Sequence, residues 1–109
     1  YSVEVARHFE ERLDETIGYI VNTLGAPRAA KAILDEYERQ LEHIAQSPDW
    51  FPIDRDLSAL AGANVYRATV RSYRAFFVID EPAKTVHLVS FRHQSEDASA
   101  FDSSLLSEN

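Results

Sequence analysis

A chain of 109 residues has room for one hydrophobic core and not for two, so a single domain spanning 1–109 has to carry every function. Hydrophobic residues make up 45% and charged residues 27%, with three Gly and four Pro, a balance that excludes intrinsic disorder as the organising state. The net charge of −7 weighs against indiscriminate nucleic-acid binding, the lack of Cys excludes disulfides and thiolate metal sites, and no apolar run approaches the ~20 residues that cross a bilayer, so the expectation is a cytoplasmic protein without a membrane role.

Residues 1–5 alternate large and polar side chains and predict a short strand. Phe9, Leu13, Ile17, Ile20, Val21 and Leu24 then recur at steps of three and four, which predicts an amphipathic helix over about 7–24 with all six on its core face. Gly25 can take the positive φ that ends a helix, and Pro27 suits the first turn of the next. That second helix is expected over about 27–46, its stripe formed by Ala30, Ile33, Leu34, Tyr37, Leu41 and Ile44, and it stops at Ser47-Pro48.

Residues 48–64 contain two prolines and one glycine without a sustained period, and they read as a long connection whose Trp50, Phe51 and Leu57 plug one end of the core. Three strands follow over 65–71, 73–80 and 85–93, and links this short predict an antiparallel meander. In the tail, Ala98, Ala100, Phe101, Leu105 and Leu106 among Ser and acids mark a short C-terminal helix. The fold class is therefore α+β in the order β-α-α-β-β-β.

This order resembles the RelE/ParE superfamily, as do several local features. They are Ile20, Pro27 and Ala29-Ala30 across the hairpin, Ile44 and Ser47-Pro48 at the close of the second helix, and Tyr66-Arg67 at the start of the meander. Tyr73-Arg74 with Phe76 to Asp80 lies in its middle strand, and Val86 to Val89 leads to His93-Gln94-Ser95-Glu96-Asp97. The His-Gln-x-x-Asp ending and the long hairpin are more similar to the ParE-like side. The resemblance implies the toxin of a type II toxin–antitoxin system, a plasmid-stabilisation or growth-inhibition device, with a cognate antitoxin as its protein partner. It implies DNA gyrase as target on the ParE-like side, and ribosome-dependent cleavage of mRNA on the RelE-like side. A degenerate member without toxicity and a homodimeric state both stay open.

Arginine placement bears on that choice. Residues 1–60 hold six Lys or Arg against twelve Asp or Glu, whereas 61–79 hold Arg67, Arg71 and Arg74 and no acid, so a basic patch sits within an acidic chain. Alternation along a strand puts Arg67, Thr69 and Arg71 on one face and Tyr66, Ala68 and Val70 on the other, with Arg74 able to join the basic stripe beside Phe76 and Val78. RNA cleavage needs a base for the 2′-OH, an acid for the leaving oxygen and fixed positive charge at the phosphate. If the chain is a nuclease, Arg67 and Arg74 serve the phosphate and His93, the nearby residue of the type most used for general acid–base work, supplies the proton chemistry. Arg71, Arg92, Gln94 and Asp97 are the expected binding residues.

The same arginines also suit ordinary strand positions paired with Glu96 or Asp97, and His93 suits a strand end bonded to backbone. Thr69 and Gln94 stand where RelE-like nucleases carry basic residues, and Phe101 stands where they carry an active-site Tyr that can relay a proton. Charge and missing catalytic parts both favour the ParE-like reading. An antitoxin for so acidic a toxin is expected to carry an unusually basic tail. His8, His43 and His87 are scattered, so no metal and no cofactor are expected.

Overall fold

The structure is a computed structural model that describes residues 1–96. Its elements are β1 (Ser2–Val5), α1 (Arg7–Gly18) continued by a π-helical turn (Tyr19–Thr23), α2 (Pro27–Gln46), a 3-10 turn (Pro48–Trp50), α3 (Arg55–Ala61), β2 (Tyr66–Val70), β3 (Tyr73–Asp80) and β4 (Thr85–His93). The fold is α+β, and the β-α-α-β-β-β order read from the sequence holds. The short C-terminal helix expected in the tail lies outside the described residues.

The four strands form one sheet in the order β1-β4-β3-β2. The last three are the expected antiparallel meander, while β1 pairs parallel to β4 with Ser2 opposite Thr85 and Val5 opposite Leu88. The sheet is therefore mixed, and the α1–α2 hairpin occupies the return path of the chain between the parallel pair. One face of the sheet meets this hairpin. Phe9 and Leu13 from α1, with Ala30, Ile33 and Ile44 from α2, pack against Ala68, Val70, Ala75, Phe77, Leu88 and Phe91. Phe9 meets Phe91 edge-on at 5.5 Å between ring centroids, a preferred aromatic geometry.

Where α1 ends, the structure departs from the periodicity. Leu24 donates its N–H to the Tyr19 carbonyl, five residues back, so the last turn is π-helical. The extra residue per turn changes the phase of the apolar stripe after Ile20. Ile20 is buried, but Val21 and Leu24, expected on the core face, are exposed, Leu24 by 60%. Gly25, at φ +60, then reverses the chain, and the Ala26 N–H returns to the Ile20 carbonyl.

The segment expected to be an irregular connection contains α3. Asp54 caps it by accepting from the Leu57 N–H at 3.0 Å, and Gly62 ends it in the left-handed region at φ +69. The helix lies on the sheet face away from the hairpin, where Leu57 joins Val65, Phe76 and Val89 in a second, smaller core. Of the three side chains expected as plugs, Leu57 is buried and Phe51 meets Phe77 edge-on at 5.6 Å, but Trp50 is 87% exposed.

Candidate functional site

The arginine-bearing face of the sheet is the α3 face. In the register observed, Arg67 lies opposite Phe76 and Thr69 opposite Arg74, so Arg67 and Arg74 share this face, as their alternation predicts. Arg71 does not extend the stripe. It stands beyond the end of β2, in the turn to β3, with φ +57, because a two-residue connection between antiparallel strands demands left-handed backbone.

Arg92 reaches the same face through a β-bulge. Phe77 pairs with Leu88 and Phe76 with Ser90, leaving Val89 as an extra residue on β4. A one-residue insertion inverts the alternation of everything after it, so Phe91 enters the hairpin core and Arg92 comes to lie opposite Arg74. Without the bulge those two residues would exchange faces.

Arg74, Arg92, His93 and Gln94 line a pocket of about 160 Å³ together with Asp54, Asp56 and Glu96. Cationic and acidic groups thus line it together. Arg67 lies 3.7 Å from the Asp54 carboxylate, and Arg92 lies 3.6 Å from that of Glu96 while donating through Nε to the Oγ of the fully buried Ser90 at 3.1 Å. Burial pushes the Arg92 guanidinium down from its usual pKa, Glu96 acts in the opposite sense, and nearby Arg12 adds to the depression. Gln94 is fixed by its backbone, whose N–H donates to the Ser72 carbonyl at 2.9 Å.

Of the expected trio, Arg74 and His93 line this pocket together, while Arg67 is held beside it by Asp54. His93, at the end of β4, pairs with Tyr73, and its ring meets the Tyr73 ring edge-on at 5.2 Å, so it borders both this pocket and the hairpin side of the sheet. Its Nδ1 lies 2.7 Å from the Ser95 hydroxyl and accepts from the Ser95 N–H at 3.1 Å, which fits a strand-end histidine bonded locally.

Glu96 was expected as a partner for the arginines of β2 and β3. It instead bridges the two sides of the sheet, with Oε1 at 2.5 Å from Arg12 of α1 and Oε2 facing Arg92, while its Oε1 also accepts from the His93 N–H at 3.1 Å. Asp97, the remaining expected binding residue, lies outside the described residues. Asp54 and Asp56 are the residues that the sequence reading missed. Their signal was the cap pattern of Asp54 with Leu57 and Ala61 four apart and Gly62 after them.

A helical hairpin on one face of a four-stranded mixed sheet, with a short capped helix and an arginine surface on the other, defines a toxin of the RelE/ParE superfamily. The family model described as the ParE toxin of the type II toxin–antitoxin system, parDE, matches residues 3–98, and the chain belongs to that family. No curated protein matches it. Membership in a toxin–antitoxin family implies a cognate antitoxin as partner. Among the described residues no helix is long and apolar enough to cross a membrane.

Proposed function

We propose that this toxin arrests growth by gripping DNA gyrase, without hydrolytic chemistry of its own, and that its cognate antitoxin neutralises it. The observation that carries this reading is the charge balance of the arginine face. Each of the two arginines that flank Arg74 has a carboxylate within 4 Å, from Asp54 for Arg67 and from Glu96 for Arg92. A phosphate entering this pocket would have to displace those acids or lie beside them, which removes most of the gain that fixed positive charge offers a transition state. His93 borders the same pocket, but its Nδ1 is already engaged by the hydroxyl and the N–H of Ser95.

The chain is accordingly a binding protein rather than a nuclease. The cytoplasm, where gyrase works, is its site of action. Inducing the toxin in bacteria tests this, with Arg67→Ala, Arg74→Ala and His93→Ala variants, while mRNA ends and plasmid supercoiling are followed in the same cultures. Loss of supercoiling that survives all three changes supports the reading. New ribosome-dependent mRNA ends that vanish with them would establish the RelE-like activity in its place.

A further inference from the structure

Trp50 is the most exposed large apolar side chain among the described residues, yet its backbone is held fast. Pro48, two residues before it, is fully buried, and Phe51, directly after it, packs edge-on against Phe77 in the core. The Trp50 N–H donates to the Ser47 carbonyl at 3.1 Å, and the Pro52 carbonyl accepts from the Arg67 N–H of β2 at 3.0 Å. A large apolar side chain therefore stands in water on a segment that has nowhere to collapse. Folding gains nothing from that placement, whereas Trp is enriched among the anchors of protein interfaces and a rigid backbone lowers the entropy cost of docking it.

Beside Trp50, the end of α2 and the 3-10 turn border an open pocket of about 370 Å³, lined also by His43, Gln46, Phe51 and Pro52. Ile53, itself exposed, extends the apolar surface past Pro52. The fixed charges of this stretch are all negative, since residues 42–54 contain Glu42, Asp49 and Asp54 and no Lys or Arg. Asp49 is exposed next to Trp50, and Glu42 is exposed one turn before Gln46 on the same face of α2. Neither has an ion pair among the described residues. Arg39, one turn before His43, is taken up by Glu36.

We infer that Trp50 and its acidic border are the surface by which the toxin grips gyrase, docking on a cationic patch of that enzyme; the inference rests on the gyrase reading. An enzyme that handles DNA must cluster Lys and Arg where it meets phosphates. An indole flanked by unpaired carboxylates complements such a patch, its ring face taking one cation while the acids meet the neighbouring ones. A second copy of this chain fits poorly, because it would bring a net charge of −7 against its own kind. An antitoxin segment brings its own anchors to grooves on the toxin, whereas here the anchor belongs to the toxin and projects outward.

A supercoiling assay with purified gyrase and the full 109-residue chain tests this, comparing wild type, Trp50→Ala, Trp50→Phe and Asp49→Lys by the concentration that halves the activity. Trp50→Ala should raise that concentration roughly tenfold or more and Trp50→Phe by less, while the effect of Asp49→Lys should be greatest at low salt. Circular dichroism and urea midpoints should match wild type in all three, because the altered side chains stand in water. Equal inhibition by Trp50→Ala and wild type would overturn the inference and leave the gyrase reading intact, whereas a wild type that does not inhibit gyrase would remove both. Two other results would also overturn it. A dimer that Trp50→Ala converts to monomer would assign the surface to a second copy, and lost antitoxin binding with gyrase inhibition unchanged would assign it to the antitoxin.

Discussion

Arg74 of β3 lies directly across from Arg92 of β4 on the α3 side of the sheet. Like charges in that position repel, at a cost of roughly 0.2–1 kcal/mol. The fold tolerates the pair because acids border the same pocket, and one of them, Glu96, is shared between Arg92 and Arg12.

Glu96 therefore matters more than an ordinary exposed acid. Glu96→Gln withdraws a counter-charge from two guanidinium groups, one of them with only 12% of its side chain exposed, and should destabilise the chain by about 1 kcal/mol. Asp14→Asn, on the exposed side of α1, should stay within about 0.5 kcal/mol of wild type. Urea denaturation at low salt and at high salt checks both, and the gap between the variants should narrow as salt screens the pairs.

Asp54 holds α3 in place twice over, as N-cap to the Leu57 N–H and as neighbour to Arg67. Asp54→Ala should cost about 1 kcal/mol through the cap, whereas Asp54→Ser keeps an acceptor there and should recover much of the loss. If the two variants melt at the same temperature, the cap is not what stabilises α3.

How far the sequence reveals this architecture depends on which contacts set each feature. β3 and β4 run Tyr73–Asp80 and Thr85–His93, as read, because apolar runs bounded by a Pro-containing turn are a local signal. Arg67 and Arg74 share a face as predicted, since alternation within one strand is local too. The bulge at Val89 is not. Nothing in Leu88-Val89-Ser90-Phe91 marks which residue is extra until Phe76 and Phe77 are paired against them, and that pairing alone decides the faces of Arg92 and His93. The π-helical turn escaped for a related reason, since Val21 and Leu24 fit the helical period and only the hydrogen bond from Leu24 to Tyr19 breaks it. α3 is a different case. Its cap residues were visible, but two prolines and a length of seven residues hid the element between them.

Tyr37 gives the protein an alkaline limit. Burial, with a smaller contribution from Glu10, pushes its phenol up to about 12. The unfolded phenol ionises near 10, so the native state holds this proton more tightly. The resulting stability is complete below about pH 10 and is lost as pH rises toward 12. Tyr37→Phe should flatten the fall in stability across that window, as measured by urea midpoints at successive pH values. An unchanged slope would mean that another group sets the limit.

Trp50 is the sole tryptophan, and its side chain stands almost wholly in water beside His43, Gln46 and Pro52. Its emission in the native chain should resemble that of the unfolded chain, so unfolding followed by tryptophan fluorescence should show little spectral shift. A native emission strongly displaced to the blue would contradict the exposed placement.

The most direct measurement is a supercoiling reaction with purified gyrase, relaxed plasmid and the purified toxin, run beside translating ribosomes charged with a defined mRNA. Dose-dependent inhibition of gyrase by the wild-type chain and by Arg74→Ala alike, with the mRNA left intact, is the result predicted for a protein that grips its target. Site-specific mRNA cleavage with gyrase unaffected would contradict the account.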